Sequence, residues 1–556
     1  LLVTHPSPPP QPGSPGGLLF AHTAPPSMHT HTVPEMLPGN TNEMPLLKGV
    51  RDPREKRWFV YLAFIFPACA GFLFGYDIGG ASGAVNSLKS FIDVDDVLSS
   101  TITSASLMGA TLGSMLVFVV GEPLGRRREI MVGAVLYFTG SLISVLAPKS
   151  SPLAMVLVGR IVYGLGIAFS MHAAPVYISE MAPSDVRGLL VSLKEGFIVG
   201  GIMIGFAASA VCEGIASCPG GDCASPDAGG FDETAVFRGV WGLPLVIAPI
   251  VLFGMQAMPP SPRWLLLRAA RSRAAVEPLG GAAHPLRDAA LAALRRFRRG
   301  LPEEVLEAEL AEIESTLQSQ VAEESSGGFG ELLAARRALV AGLGLICLQQ
   351  LTGQPSVLYY QETIFKDAGF GSSASLTSVI VGAAKLIATL FSVRFVDRFG
   401  RRPLLFAGIS MMLAALILLS VAFQLASPDL GSGADGGVIL ADGWPPIVVF
   451  ALVLYVCGYQ IGFGPISWLL ISEIFPIKSR TRALSLAVIV NFGFNLGATF
   501  ALSPLQTAMD SLSPGKGSSY LFMIYAVLCV VSQVFVFKCV PETKGKTLEE
   551  IEEMLR

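Results

Sequence analysis

Twelve apolar runs, most of them a little over 20 residues long, recur between residues 60 and 540 of this chain. A helix rising ~1.5 Å per residue needs about that many residues to cross ~30 Å of hydrocarbon. The runs fall at about 60–86, 98–121, 130–147, 153–178, 188–211, 239–258, 338–361, 374–396, 403–426, 446–472, 482–506 and 519–540. Charged residues are 15% of the 556, against about 25% in soluble domains, and they gather in short blocks between the runs. Many runs also carry Gly and Pro, which membrane helices tolerate. The expected fold is an all-α membrane protein of twelve transmembrane helices, with the lipid bilayer as its solvent.

The charge blocks orient the chain. GRRRE (125–129), the segment 259–337, RFGRRP (398–403) and KSRTR (478–482) lie in loops on one side, whereas the opposite loops hold isolated cations such as Lys89, Lys149, Arg238, Lys366 and Lys516. The positive-inside rule makes the first set, and both termini, cytosolic. Basic residues confined to loops do not mark a nucleic-acid partner. Residues 1–57 are rich in Pro, Ser, Thr and His with no Lys or Arg before Lys48, a composition that cannot bury a core and is expected to be a disordered cytosolic tail. Of the eight cysteines, Cys212, Cys218 and Cys223 share a non-cytosolic loop where a disulfide is permitted, with the pairing open.

The runs form two sets of six around 259–337, which has helical spacing and mixed charge and reads as short cytosolic helices. The organisation expected is a tail (1–57), a six-helix bundle (58–258), a linker (259–337), a second bundle (338–541) and a cytosolic C-terminal tail (542–556). The halves echo each other. GEPLGRRRE (121–129) matches VDRFGRRPL (396–404), and SEMAPSDVRG (179–188) matches SEIFPIKSRTR (472–482). A parallel repeat of this kind places a substrate site at mid-membrane between the bundles. Each Gly makes a tight turn, after which Arg126, Arg127, Arg401 and Arg402 are suited to helix C-terminal carbonyls or neighbouring acids. Glu180 with Arg187, and Glu473 with Arg480 or Arg482, are expected as gating ion pairs that hold the bundles together in one state.

Eight motifs in order give a resemblance: GFLFGYDIGGASG (71–83), GRR after the second and eighth runs, GRIVYGLGIAF (159–169), PVYISEMAPSDVRG (175–188), PPSPRWLL (259–266), QQLTGQPSVLYY (349–360), GFGPISWLLISEIFP (462–476) and PETKGKTLEEIE (541–552). Over nearly all of 58–552 the chain resembles the sugar porter family of the major facilitator superfamily. Within it, the plant and algal D-xylose–proton symporter-like or vacuolar and plastid-type glucose transporters are most similar. The resemblance implies an alternating-access carrier for a monosaccharide, with sugar contacts at Gln349, Gln350, Trp468, Asn491 and Asn495. The chemistry agrees: amides supply paired donors and acceptors for hydroxyls, and an indole supplies an apolar face. Gly462, Gly464 and Pro465 would let the tenth run bend.

Asp77 lies well inside the first run, where a carboxylate is costly and functional by default. Arg160 in the fourth run is its natural partner. Burial raises and a nearby arginine lowers a carboxyl pKa, so a pair that moves apart and together loads a proton on one side and releases it on the other. In the family the resemblance names, proton-coupled members have Asp at the position of Asp77, which favours symport, with a facilitator or a non-transporting sugar sensor as alternatives.

Three positions depart from the family pattern: Glu195 and Lys385 stand where Gln and Asn are usual, and Pro355, preceded by Gln354, replaces an Asn. A lone Lys385 in GAAKLIATLFSV costs a few kcal/mol or more, and an opposed Glu195 across the central cavity would offset part of that. Both are expected to contact sugar, Gln354 with them. His172 reads as a satisfied buried histidine. No catalytic set, metal cluster or phosphate loop appears, so neither an enzyme nor a cofactor is expected. A monomer is expected, in a vacuolar, plastid, other endomembrane or plasma membrane.

Overall fold

The computed structural model describes residues 58–89, 92, 94–216, 234–274, 285–324, 330, 335–425, 427–428, 438–439, 444–475, 477–546 and 548–555. The expected tail 1–57, and Cys218 and Cys223 of the proposed disulfide loop, lie outside these residues; Cys212 is a free thiol.

Each apolar run is helical. The first half comprises α1 (Trp58–Lys89), α2 (Asp96–Leu124), α3 (Arg126–Val145), α4 (Leu153–Met181), α5 (Ser184–Ala216), and α6 (Thr234–Gly242) with α7 (Pro244–Ala257), which share the sixth run. The linker forms α8 (Pro262–Ala274), α9 (Pro285–Phe297) and α10 (Glu303–Glu324). The second half comprises α11 (Arg336–Leu351), α12 (Gln354–Tyr359), α13 (Gln361–Phe365), α14 (Ala374–Phe399), α15 (Arg401–Gln424), α16 (Trp444–Ile461), α17 (Phe463–Ile474), α18 (Ile477–Leu512) and α19 (Gly517–Cys539), followed by α20 (Leu548–Leu555). A two-residue ladder joins Ser427–Pro428 to Val438–Ile439.

Eleven described segments are long and apolar enough to cross a membrane. The remaining run, the seventh, is broken. α11 ends at Leu351, Gly353 takes φ 84°, and α12 begins with Gln354 and Pro355. A Cβ on Gly353 would lie 2.4 Å from the Tyr525 ring, so the positive φ and the close ring together require glycine. The tenth run breaks at Gly462, as its glycines suggest, between α16 and α17. Val119, Phe253, Ile387, Phe450 and Phe537 are each at least 60% exposed. Such an apolar outer face suits hydrocarbon and not water.

Close helix contact sets the interior. A Cβ at Gly164 of α4 would fall 1.9 Å from the Ser106 carbonyl of α2, and one at Gly109 would fall 2.0 Å from the Ile161 carbonyl. The two backbones therefore touch, which carries Arg160 on α4 up to α1 and α2.

Both arginine turns are built alike. Arg127 donates to the Met255 and Gln256 carbonyls at the end of α7 (3.0 and 2.7 Å), and Arg402 to the Phe537 carbonyl near the end of α19 (2.7 Å). Arg126 lies 3.5 Å from Glu180, and Arg401 lies 2.9 Å from Glu473. Both acids thus have a partner within their own half, because the turn after the second helix of each half abuts the end of the fourth. Arg482 stands near the start of α18; the side chains of Arg187 and Arg480 are outside the described set. The linker helices share a core of Trp264, Leu265, Leu291, Leu294, Leu306 and Leu310, and Arg298 ties it to the Met181 carbonyl at the end of α4 (3.2 Å). Residues after 541 join the second half: Glu542 accepts the backbone N–H groups of Arg401 and Arg402 at 3.1 and 3.0 Å, and Thr543 donates to Glu473 at 2.6 Å.

Candidate functional site

In the first half, Asp77 and Arg160 are 5% and 2% exposed and meet at 2.9 Å. Ser106 donates to the other Asp77 oxygen at 2.6 Å. The remaining guanidinium donors reach the Ile102 and Thr103 carbonyls (2.9 and 3.2 Å) and Ser106 (3.1 Å), and the Trp241 ring lies 5.3 Å from the guanidinium carbon. Every charge in this cluster is compensated, as burial demands. Beside it is a cavity of about 10 Å³ lined by Tyr76, Ser141, Ser144 and Tyr163 among others, at the margin of what one water needs. The sequence reading placed Asp77 with Arg160; it missed Ser106, whose signal was the hydroxyl-rich run SSTITSAS (99–106) inside an apolar helix.

The second half assembles amides around its two helix breaks. Gln349 donates to the Phe463 carbonyl just past the α16–α17 break (3.0 Å), and Gln350 donates to Asn491 (2.6 Å). Asn495 accepts from Thr499 (3.2 Å), which in turn meets Ser356 of α12 (3.1 Å). Trp468 stands half-buried against the same core. Gln349 Oε1, Gln350 Oε1 and Gln354 Nε2 are buried with no hydrogen-bond partner. Broken helices that present polar groups to the interior are how membrane proteins make a site at depth.

Lys385 on α14 is 3% exposed, and its ammonium lies 5.0 Å from the Tyr459 ring centroid, a cation–π contact. Glu195 instead reaches its neighbour Lys194 at 3.3 Å. Among the described residues no ion pair within 4.0 Å joins Glu195 to Lys385. Adjacent helix positions point about 100° apart, but these two long side chains bend back to meet. His172 has the expected partner, Glu129 at 2.6 Å, but is partly exposed rather than buried, and it is Glu129 that is buried; Glu129 looked like one more charge of the GRRRE turn.

Among the described residues, the hydrogen bonds between the two halves cluster at one end. Asn86 donates to Glu362 (3.2 Å), Tyr360 to Ser100 (3.2 Å), and Thr507 to Asp96 (2.7 Å); Lys366 and Ser375 both reach Glu213. All lie at the end of the bundle away from the arginine turns, so this conformation is closed there. At mid-depth the contact is apolar, Phe74 against Phe492 at 5.9 Å.

Comparison with known proteins follows the same outline. The family model "Sugar (and other) transporter" matches residues 63–555. The "D-xylose-proton symporter-like 3, chloroplastic" of Arabidopsis thaliana is 42% identical over 507 residues, covering 89% of this chain and 82% of that protein. "D-xylose-proton symporter-like 2" of the same plant is 40% identical over 502 residues, covering 88% and 90%. Among solved structures, the major facilitator superfamily proton:xylose symporter XylE bound to 6-bromo-6-deoxy-D-glucose aligns with a TM-score of 0.68 at 26% identity, covering 90% of this chain and 99% of that one.

Proposed function

Because the chain belongs to the sugar (and other) transporter family, we propose that it carries a monosaccharide, hexose or pentose, across a membrane together with a proton, by alternating access. It is a multi-pass membrane protein of the major facilitator fold, and the reading rests above all on the buried Asp77–Arg160–Ser106 cluster. A proton arriving at Asp77 cancels its charge and loosens its hold on Arg160. The guanidinium keeps the Ile102 and Thr103 carbonyls and Ser106. It therefore stays solvated by protein while α1 is released from α4, and loss of the proton restores the pair.

The amides supply recognition. A sugar seated against Trp468 would give partners to Gln349 Oε1, Gln350 Oε1 and Gln354 Nε2, which have none now, and unmet buried polar atoms are costly. Asn491, Asn495, Glu195 and Lys385 complete the hydroxyl-binding set. Pentose and hexose both fit the relatives: two are named for D-xylose, and the solved xylose symporter holds a glucose derivative. Glu180, Arg126, Glu473 and Arg401 brace the arginine-turn end, which the positive-inside rule places in the cytosol; Arg127, Arg187, Arg402, Arg480 and Arg482 belong to the same gate. One chain holds the whole site and works as a monomer. The relative named chloroplastic supports a plastid membrane, which imaging of a fluorescent fusion checks.

The deciding experiment is uptake of radiolabelled glucose and xylose into proteoliposomes, with and without an inward proton gradient. Accumulation above equilibrium, abolished in Asp77→Asn, is the expected result. Saturable uptake that only equilibrates under either condition would sink symport and leave a uniporter.

A further inference from the structure

One buried donor in the first half has no acceptor. Trp241, next to last in α6, is 6% exposed, and its Nε1 is buried without a hydrogen-bond partner. The ring itself is well placed: the Arg160 guanidinium carbon lies 5.3 Å from it, and Phe237 meets it edge-on at 5.8 Å. A phenylalanine ring would serve both contacts. The N–H is what tryptophan adds, and an indole N–H donates without accepting. Burying it unmet is costly.

Trp241 also lines the cavity of about 10 Å³ beside Asp77, about the room of one water. Three other polar groups on its wall are committed. Tyr76 and Tyr163 donate to the Val240 and Leu73 carbonyls (2.6 and 2.8 Å), and Ser144 donates to the Gly140 carbonyl (3.0 Å). Asp77 Oδ1 keeps an opening, since it accepts from Arg160 at 2.9 Å and a carboxylate oxygen can accept twice. Ser141, buried on the same wall, has a hydroxyl that can give or take. A donor, an acceptor and a hydroxyl around a space of this size are what one water needs. The lining comes from α1, α3, α4, α6 and the start of α7, all in the first half. It shares no residue with the candidate sugar site. Toward the end away from the arginine turns, Val85, Leu88, Ile102, Val156 and Phe237 pack with Trp241 and cover it.

We propose that this cavity binds one water molecule, which accepts from Trp241 Nε1, donates to Asp77 and is the group through which Asp77 gains and loses its proton. In the step, solvent hydronium passes one proton to the water as the water passes another to Asp77 Oδ1. One O–H bond of the bound water breaks and one forms, a carboxyl O–H bond is made, and both waters end neutral. Discharge runs the same exchange backward. The apolar cover keeps further water out in this conformation, so the step takes place when it loosens. Trp241 takes no proton; it is a positioning residue that holds the water in line. The proton is thus handled inside the first half, where no sugar hydroxyl competes for it. The inference rests on the symport reading, but its first test does not need transport.

That test is an experimental structure of the full chain, wild type and Trp241→Phe, at a resolution that shows ordered water. One water within hydrogen-bond reach of both Trp241 Nε1 and Asp77 is expected in the wild type. A dry cavity, or a water that reaches Trp241 and not Asp77, overturns the site. Transport in proteoliposomes supplies the second readout, because Trp241→Phe keeps a ring over Arg160 and loses only the N–H. Proton-driven sugar uptake should fall roughly tenfold, less than a lost proton-transfer group costs because Ser141 still holds the water, while sugar exchange, which needs no net proton transfer, should change less than about twofold. The variant's uptake should also slow more in heavy water than the wild type's does. Uptake and exchange that fall together would make Trp241 a packing residue, and uptake equal to the wild type's would mean the water does not carry the proton; either result overturns the proposal. If Trp241→Phe does not fold, Ser141→Ala, which removes another partner of the water and leaves the indole, must show the same split or the proposal falls. A wild type that only equilibrates sugar, with the water in place, faults the symport reading and supports the water site.

Discussion

The turns after α2 and α14 are near copies. Gly125 and Gly400 take φ of 82° and 92°, the next arginine in each reaches an acid (Glu180 or Glu473), and the one after it reaches carbonyls near the end of its half's last helix. Deeper in the membrane the halves differ. The first holds a carboxylate and a guanidinium that neutralise each other, with Ser106 and two carbonyls taking up the remaining valence. The second holds amides with unmet atoms and a lysine set over an aromatic face. The repeated frame sets where the helices turn, while the chemistry at depth is assigned half by half: charge to one, hydroxyl recognition to the other.

The largest effects should come from breaking this division at its charges, with opposite signs in the two halves. Arg160→Leu strands Asp77 as a buried uncompensated carboxylate and should cost ~3–5 kcal/mol, the usual loss when one partner of a buried pair is removed. Adding Asp77→Asn should restore much of it. If the double variant melts no higher than Arg160→Leu, the pair is not what holds α1 to α4. Lys385→Met removes a charge with no ion-pair partner among the described residues and keeps an apolar stem of similar length. It should raise the melting temperature, by about 1–3 kcal/mol of stability, while weakening sugar binding. A Lys385→Met protein that melts lower than the wild type would mean the ammonium is compensated by a group that matters, and the contrast between the halves would shrink.

How far the sequence reached follows the same division. Twelve helices, the break at Gly462 and the doubled arginine turns are legible because they depend on local terms: apolar length, glycine at a bend, charge in loops; the break at Gly353 was not read, because the seventh run is apolar on both sides of it. Asp77 and Arg160 stood out because ionisable residues are rare inside apolar runs. What could not be read was the choice between partners. Glu195 had Lys194 and Lys385 within its possible reach, and Glu180 had arginines both in a preceding turn and further along its own loop. Side-chain bending and helix packing decide such choices, and neither has a period or a spacing. Glu362 was missed for a related reason: in QETIFKDAGF it reads as an ordinary loop charge, and only the packing of α1, α5 and α14 around it closes it from water.

The smallest expected effect separates the two arginine turns themselves, through the groups that cover their glycines. Over Gly125 lies the Trp264 ring, 2.6 Å from where a Cβ would be; over Gly400 lies the Glu542 carboxylate, at 3.1 Å. Burial alone would raise the Glu542 pKa, but the backbone N–H groups of Lys544, Arg401, Arg402 and Thr543 outweigh it and hold the carboxyl below its ordinary 4.5. A carboxyl lowered by folding adds stability above its unfolded pKa and loses it as pH falls through the folded value. Glu542 is partly open to water, so the screened contribution at the α15 N-terminus should be about 0.5–1 kcal/mol. Glu542→Gln should therefore melt below the wild type at pH 7, and the gap should close once the medium is acidic enough to protonate the wild-type carboxylate. Trp264→Phe keeps a ring over Gly125 and gives up the indole bond to the Glu122 carbonyl (2.9 Å), a loss of about 1 kcal/mol with no titrating group in it. Its deficit should be the same at both pH values. A Trp264→Phe deficit that shrinks in acid, or a Glu542→Gln deficit that does not, would mean that the two covers act alike and that the halves are equivalent at the turns in energy as well as in shape.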